Sequence, residues 1–197
     1  MKKPKKAKDW ADQIRFDYAF ARRTLLERGS VQPMFIIHGA DEMVLFPAAF
    51  GDVGDKNLCA NIARALAIAH DAACVSFISE AWGRSVARAP RETEAEWRDR
   101  FSAIAPSKAE DRQEIIVVFT NWRDRDGELH AAARTGEIVR NAAGKPVALS
   151  ELSNGEGSPE GRFVNLLPPE RPTAEEREIA RAVLSEIGVT RLAALAS

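Results

Sequence analysis

The segment Ser79–Arg84 carries a carboxylate, an indole and a guanidinium near the end of a predicted strand. Side chains of these types can line a ligand pocket, in which the indole gives a flat contact and the guanidinium holds an anion. Arg112 and Glu114 lie at the start of the next predicted strand and extend this set. Together with a histidine at the start of a later strand, the candidate binding residues are Glu80, Trp82, Arg84, Arg112 and His130.

Two interpretations of this segment are open. As an enzyme acting on an anionic small molecule or peptide, the protein would use Glu80 as acid or base and Arg84 or Arg112 to hold the anion. As an ordinary sheet rim, the segment would pack Trp82 beneath Arg84 and pair Glu80 with an arginine. We favour the sheet rim, because exposed ion pairs are common on protein surfaces and require no function.

The other motifs with chemical potential are incomplete. Residues 51–57 place glycines and a lysine at the start of a helix, but a phosphate loop needs four residues between its glycines and a Ser or Thr after its lysine. The histidines at 38, 70 and 130 fall in different elements and form no HxxxH or HxH pair. Neither cysteine lies in an electropositive, exposed context that would activate a thiol. The sequence therefore predicts no cofactor and no metal site.

The charge of the chain is divided between a short arm and a long body. Five lysines give residues 1–8 a charge of +5, and we expect this stretch to be a flexible basic arm. Residues 9–197 form the predicted single domain and carry 23 basic and 29 acidic side chains, a net charge of −6. The body should repel nucleic acid, so only the arm is expected to attract it.

The cysteines and the hydropathy pattern indicate a compartment. Cys59 and Cys74 stand in apolar stretches and are predicted to be buried free thiols, which suits a reducing cytoplasm. No apolar segment follows the basic start, as a secretory signal would require. No stretch approaches the roughly 18 continuous apolar residues of a membrane span, so no membrane association is expected.

Apolar periodicity and turn residues predict the elements that would position these side chains. Five consecutive large apolar residues, Ile115–Phe119, are typical of a strand covered on both faces, and the Asp-Gly pair that follows predicts a hairpin. The predicted helices run from Trp10 to Arg28, from Lys56 to about His70, and from Thr173 to the glycine at 188. The predicted strands are Pro33–His38, Met43–Phe46, Cys74–Trp82, Glu114–Trp122, Leu129–Arg140 and Val147–Leu149, with a further short strand at Phe163–Leu167.

Finer expectations concern register and packing. A four-residue turn at Asp124–Gly127 would set Trp122 opposite Leu129, and Gly136 in the following strand predicts a bulge. Leu58 is expected on the inner stripe of the second helix. Residues 83–112 contain six arginines between and around two prolines and are predicted to be an insertion or a long crossover.

The element order predicts one mostly antiparallel sheet of five to six strands flanked by helices, in an α+β domain. The order is helix, two strands, helix, strand, insertion, three strands, helix. It resembles that of the roadblock and profilin-like folds. The resemblance is one of element order, without a shared residue motif, so it implies no function.

The leading functional hypothesis is a small cytoplasmic interaction or regulatory module without catalysis of its own. Its predicted partner is another protein or a second copy in a homodimer, bound through a sheet edge or a helix face. The alternative is the enzyme described above, which would bind a small anionic ligand. A third hypothesis is a nucleic-acid-associated accessory protein that uses the lysine arm and the arginines of residues 83–112. Glu92, Glu94 and Glu96 weaken this third hypothesis, because they balance those arginines.

Overall fold

The computed structural model describes residues 10–39, 42–50, 52–84, 86–151, 163, 165–189 and 194–195, so the predicted arm, residues 1–8, lies outside the described residues. The helices are α1 (Gln13–Arg28), α2 (Val53–Ala69), α3 (Glu94–Ser102) and α4 (Ala174–Glu186). The strands are β1 (Met34–His38), β2 (Met43–Pro47), β3 (Cys74–Gly83), β4 (Gln113–Arg123), β5 (Leu129–Arg140), β6 (Pro146–Glu151) and β7 (Ala194–Leu195).

The strands form one sheet in the order β6-β5-β4-β3-β1-β2-β7, and each of these pairings is antiparallel. The predicted α+β class and antiparallel sheet are therefore confirmed. Six strands make up the body of the sheet, and the two-residue β7 extends one edge. The short strand predicted at Phe163–Leu167 is wrong, because the described residues of that segment lie outside the sheet.

The central strand β4 is covered on both faces, as its run of β-branched residues predicts. Ile116 and Val118 are fully buried in one cluster with Tyr18 and Leu25 of α1. On the opposite face of the sheet, β1 and β3 contribute a larger cluster that packs against α2 and α4. The members of that cluster with the largest buried side chains are Phe35, Ile37, Phe77, Leu66 and Leu166. Both cysteines are buried free thiols, as predicted.

A buried polar cluster lies between α1 and the sheet, where the sequence pattern predicts only apolar packing. Asp17 is 4% exposed and accepts hydrogen bonds from Gln13 Nε2 at 2.9 Å and from the Ser76 hydroxyl. Ser76 Oγ also lies 2.9 Å from Thr120 Oγ1 on β4. Because buried polar groups are costly unless they are hydrogen-bonded, this network fixes α1 in one position on the sheet.

The β4–β5 hairpin corrects the predicted register by one residue. Trp122 pairs with His130, and Arg123 pairs with Leu129, so the loop has five residues. The carboxylate of Asp124 accepts hydrogen bonds from the backbone N–H groups of residues 126 and 128, both at 2.9 Å. Gly127 adopts φ +92°, which accommodates the additional residue.

Gly136 is paired regularly with Ile116, and the register shift in β5 falls later, between Val139 and Arg140. The bulge predicted at Gly136 is therefore wrong. Its glycine has a different cause, since a Cβ there would lie 1.8 Å from Tyr18 Oη. Glycine permits this close approach of α1 to the sheet.

The second helix is rotated relative to its prediction. It begins at Val53, because Asp52 and Asp55 form a reciprocal capping box, with Asp52 Oδ1 accepting from the Asp55 N–H at 2.9 Å. The inner stripe contains Cys59 instead of Leu58, which is 57% exposed. The prediction for Leu58 is wrong, because an alanine-rich helix gives few large residues to mark its buried side.

Candidate functional site

The structure places Glu80 in an ion-pair network across three strands. Its Oε1 accepts a hydrogen bond from the Val31 N–H at 2.5 Å, and its Oε2 lies 3.7 Å from Arg140 Nη2. Arg140 donates two further bonds to Glu114, at 2.5 and 2.7 Å. These bonds lower the pKa of Glu114, although partial burial opposes the shift. The oxygens of Glu80 are therefore directed at β5 and the α1–β1 connection.

Trp82 and Arg84 have separate partners. The Arg112 guanidinium lies 5.1 Å from the ring of Trp82, which is 46% exposed. Arg84 lies 3.4 Å from Asp111 and 5.8 Å from the ring of Phe101. Trp82 thus lies beneath Arg112 instead of Arg84. Glu80 therefore bonds Val31 and Arg140, whereas Arg84 pairs with Asp111 and Arg112 stacks on Trp82, so the proposed acid and anion grips have different partners.

His130 lies at the opposite end of the sheet from these residues. It stacks on Trp122, with ring centroids 5.3 Å apart, and its Nε2 lies 2.6 Å from Asp124 Oδ2. This contact is the main reason that the pKa of Asp124 is lowered. Trp122 pairs with Cys74, which precedes Trp82 by eight residues on β3, a separation of about 27 Å along the strand. The five candidate residues therefore do not form one site.

The arginines of residues 83–112 are balanced locally, as the acidic residues among them suggest. Arg100 donates to Glu92 at 2.7 and 2.8 Å, which is the largest cause of the fall in the Glu92 pKa to about 2. Arg88 and Arg98 both lie within 3.5 Å of Glu94. This segment contains α3, none of whose residues is buried. It offers paired charges instead of a basic surface for phosphates.

An apolar groove of about 510 Å³ lies between α2, α4 and the segment that precedes α4. Ala65 and Ile68 of α2 line one side, and Ile179 and Val183 of α4 line the other. The proline-rich segment Pro168–Pro172 forms a wall of the groove. A concave, predominantly apolar surface of this kind is typical of a binding site.

Helix α4 carries two apolar stripes, of which only one is buried. Ala180 and Leu184 are 7% and 5% exposed and face the core. The second stripe consists of Ile179, Val183 and Ile187, at intervals of four residues, which are 57%, 46% and 52% exposed. Single exposed apolar side chains are ordinary, but a contiguous stripe beside a groove marks a contact surface.

The first turn of α4 is fixed by a capping box. Thr173 Oγ1 accepts from the Glu176 N–H at 3.2 Å, and the Glu176 carboxylate accepts from the Thr173 N–H at 2.7 Å. The bonds from Thr173 lower the pKa of Glu176. Farther along, Arg181 Nη2 donates to the Ala69 carbonyl at the end of α2, at 3.0 Å. The two helices that flank the groove are therefore tied together directly.

The groove and the exposed stripe escaped the sequence analysis, although part of the signal is visible there. The β-branched residues at 179, 183 and 187 recur every four residues, beside a second apolar stripe. Two adjacent stripes make the apolar face of the helix wider than a single contact with the core would cover. Arg123 was also missed, because it appears in the sequence as part of a polar turn. In the structure it is 8% exposed and bonded to the wall of the groove.

Comparisons with known proteins do not assign the chain to a family. The chain matches no family model, no curated protein and no solved structure. The resemblance in element order to the roadblock and profilin-like folds therefore remains a prediction. Of the helices that the structure describes, none combines the length and apolar character needed to cross a bilayer.

Proposed function

We propose that the protein is a small interaction module that self-associates, and that its α2–α4 groove receives α4 of a second copy. The observation that carries this proposal is the half-exposed stripe Ile179, Val183 and Ile187, of which Ile179 and Val183 also line the groove. A groove that accepts an amphipathic helix recognises anchors one and two turns apart, and α4 presents such anchors on its outer surface.

The apolar area suits a dimer. The stripe Ile179, Val183 and Ile187 is about half exposed and presents about 300 Å² of apolar surface, to which the apolar walls of the groove add. A standard interface buries about 800 Å² per partner, of which a little over half, about 450 Å², is apolar. At about 25 cal/mol per Å², burial of the stripes of both protomers, about 600 Å² in total, contributes about 15 kcal/mol. Because association costs about 4–15 kcal/mol in lost freedom, the net gain lies between about 0 and 11 kcal/mol, a range that includes the roughly 8 kcal/mol of a micromolar complex.

A second copy fits this surface because the stripe is self-complementary. If two α4 helices pack antiparallel about Val183, Ile179 of one copy meets Ile187 of the other, as a two-fold axis requires. The antiparallel arrangement also separates the acidic first turns, which contain Glu175 and Glu176. A parallel arrangement would place those like charges side by side.

Sedimentation-velocity ultracentrifugation from about 1 to 500 µM tests the proposal over the expected range of affinity. The wild type should shift from monomer to dimer, and Val183→Glu should stay monomeric, since a charge at the centre of the interface would be desolvated without a partner. Phe16→Glu is the matched control, because Phe16 is an exposed helical residue, 67% exposed, on α1. It should dimerise like the wild type.

Two results would overturn the proposal. If the wild type stays monomeric at the highest concentration, the groove does not bind α4 of a second copy. Equal dimerisation of Val183→Glu and the wild type would move the interface away from α4.

A further inference from the structure

We infer that Arg123 is the positioning residue of the groove: its guanidinium holds the Pro168–Pro172 wall in place and thereby controls docking. The inference rests on the proposed function, because it assigns a determinant of affinity to the same surface. Arg123 lies at the end of β4, and its side chain does not line the groove. Its effect would therefore pass through the backbone of the wall.

The wall needs hydrogen-bond donors from elsewhere. Pro168 and Pro169 have carbonyl acceptors but no N–H, so this segment cannot join the sheet as a paired strand. Arg123 supplies the donors: Nη2 bonds the Pro168 carbonyl at 2.5 Å, and Nη1 bonds the Pro169 carbonyl at 3.0 Å. The planar guanidinium presents these donors in a fixed fork, which suits two successive carbonyls.

The same guanidinium ties the wall to the β4–β5 hairpin. Arg123 Nη1 also donates to the carbonyl of Gly127 at 2.8 Å. In the described part of the chain, the hydrogen bonds of this guanidinium go to these three carbonyls, and no carboxylate lies within ion-pair distance. Among the described residues, backbone carbonyl dipoles therefore stabilise the charge of Arg123, which is 8% exposed. Lysine would retain the charge but lose the fork.

Asn121 is a second attachment point on the same face of β4, two residues earlier. Its side-chain amide donates to the Phe163 carbonyl at 3.3 Å, and its oxygen accepts from the Asn165 N–H at 3.0 Å. Asn121 and Arg123 therefore hold successive parts of one segment as it runs toward α4. Loss of either anchor should loosen the wall without removing any side chain that lines the groove.

The test combines self-association with hydrogen exchange on Arg123→Lys and Asn121→Ala, under conditions where each variant is folded. Both should weaken dimerisation at least about tenfold, the change expected from losing one or two ordering hydrogen bonds. The amides of residues 166, 167, 170 and 171 should exchange faster, while amides of β3 keep their wild-type rates. Arg140→Lys is the matched control, since Arg140 also bonds a carbonyl, that of Gly144, away from the groove.

The two readouts separate failure of this inference from failure of the proposed function. A monomeric wild type would remove the proposed function, but faster exchange confined to residues 166–171 in the variants would still support the positioning role. Dimerisation and exchange that match the wild type in both variants would overturn it. If Arg123→Lys fails to fold, Asn121→Ala alone decides by the same criteria.

Discussion

Replacing Gly136 with alanine should destabilise the protein, because the added methyl group would occupy space already filled by Tyr18. A Cβ at this position would lie 1.8 Å from Tyr18 Oη and 2.9 Å from Leu149 Cγ. Restoring even a 3.0 Å separation requires the phenol to move by about 1.2 Å. Tyr18 is 4% exposed and packs in the α1 cluster, so that movement must displace the helix.

The magnitude follows from two opposing effects. Overpacking a close-packed core costs about 1–3 kcal/mol, and the rigid surroundings of Tyr18 place Gly136→Ala near the upper value. The loss of backbone freedom in the unfolded chain returns about 0.4–1 kcal/mol. The free energy of unfolding should therefore fall by about 2 kcal/mol, equivalent to a fall in Tm of about 4–8 °C for a chain of this size.

Urea denaturation of a double-mutant cycle with Tyr18→Phe isolates the contact. The second substitution removes the hydroxyl, so the pair should recover about 1 kcal/mol relative to the sum of the single variants. Gly54→Ala in the first turn of α2 is the control and should be near neutral, because its Cβ would meet only the Asp52 carboxylate, at 3.1 Å. A loss below about 0.5 kcal/mol for Gly136→Ala, or no recovery with Tyr18→Phe, would refute the reasoning.

Two further predictions concern buried and partly buried carboxylates. Because the pKa of Glu114 is lowered from 4.5 by Arg140, its stabilising contribution is present above about pH 4.5 and is lost as the pH falls through the folded-state value. Glu114→Gln should therefore flatten the pH dependence of the free energy of unfolding below pH 4.5, measured by urea titration, and an unchanged slope would contradict this. Asp17→Ala should cost about 2–4 kcal/mol in the same assay, since it strips Gln13 and Ser76 of their shared acceptor. A cost below about 1 kcal/mol would mean that the polar cluster does not fix α1.

The sequence predicts the parts of this fold that depend on local pattern. The run Ile115–Phe119 predicts a strand that is covered on both faces, and in the structure Ile116 and Val118 pack in the cluster with α1, while Phe119 packs on the cluster that includes α2 and α4. The hairpin register was missed by one residue because it depends on the side chain of Asp124, which accepts two backbone N–H groups and lengthens the loop. Hydrophobic alternation does not contain that information.

The contacts of the candidate residues could not be predicted from the sequence for a related reason. The partner of Glu80 is Arg140, which reaches it across β4, and this contact exists only once three strands are in register. Glu80 and Arg84 are close in the sequence. Closeness in the sequence does not predict which residues of neighbouring strands are in contact. Local pattern predicts the groove even less, because α2 is separated from the wall and from α4 by about a hundred residues of chain.

The strongest argument that a second copy covers the outer stripe of α4 comes from the stability of this helix. Isoleucine and valine are each less favourable than alanine in a helix by about 0.5 kcal/mol, so Ile179 and Val183 weaken the isolated α4. In the monomer these side chains recover little of that cost, because each stays about half exposed. Burial of the exposed area of each side chain, about 100 Å², against a second copy would recover about 2.5 kcal/mol, which exceeds the loss of helix propensity. The surface that costs the monomer stability would thus be the one that stabilises the dimer, and a single charge at Val183 should abolish association while leaving the fold intact.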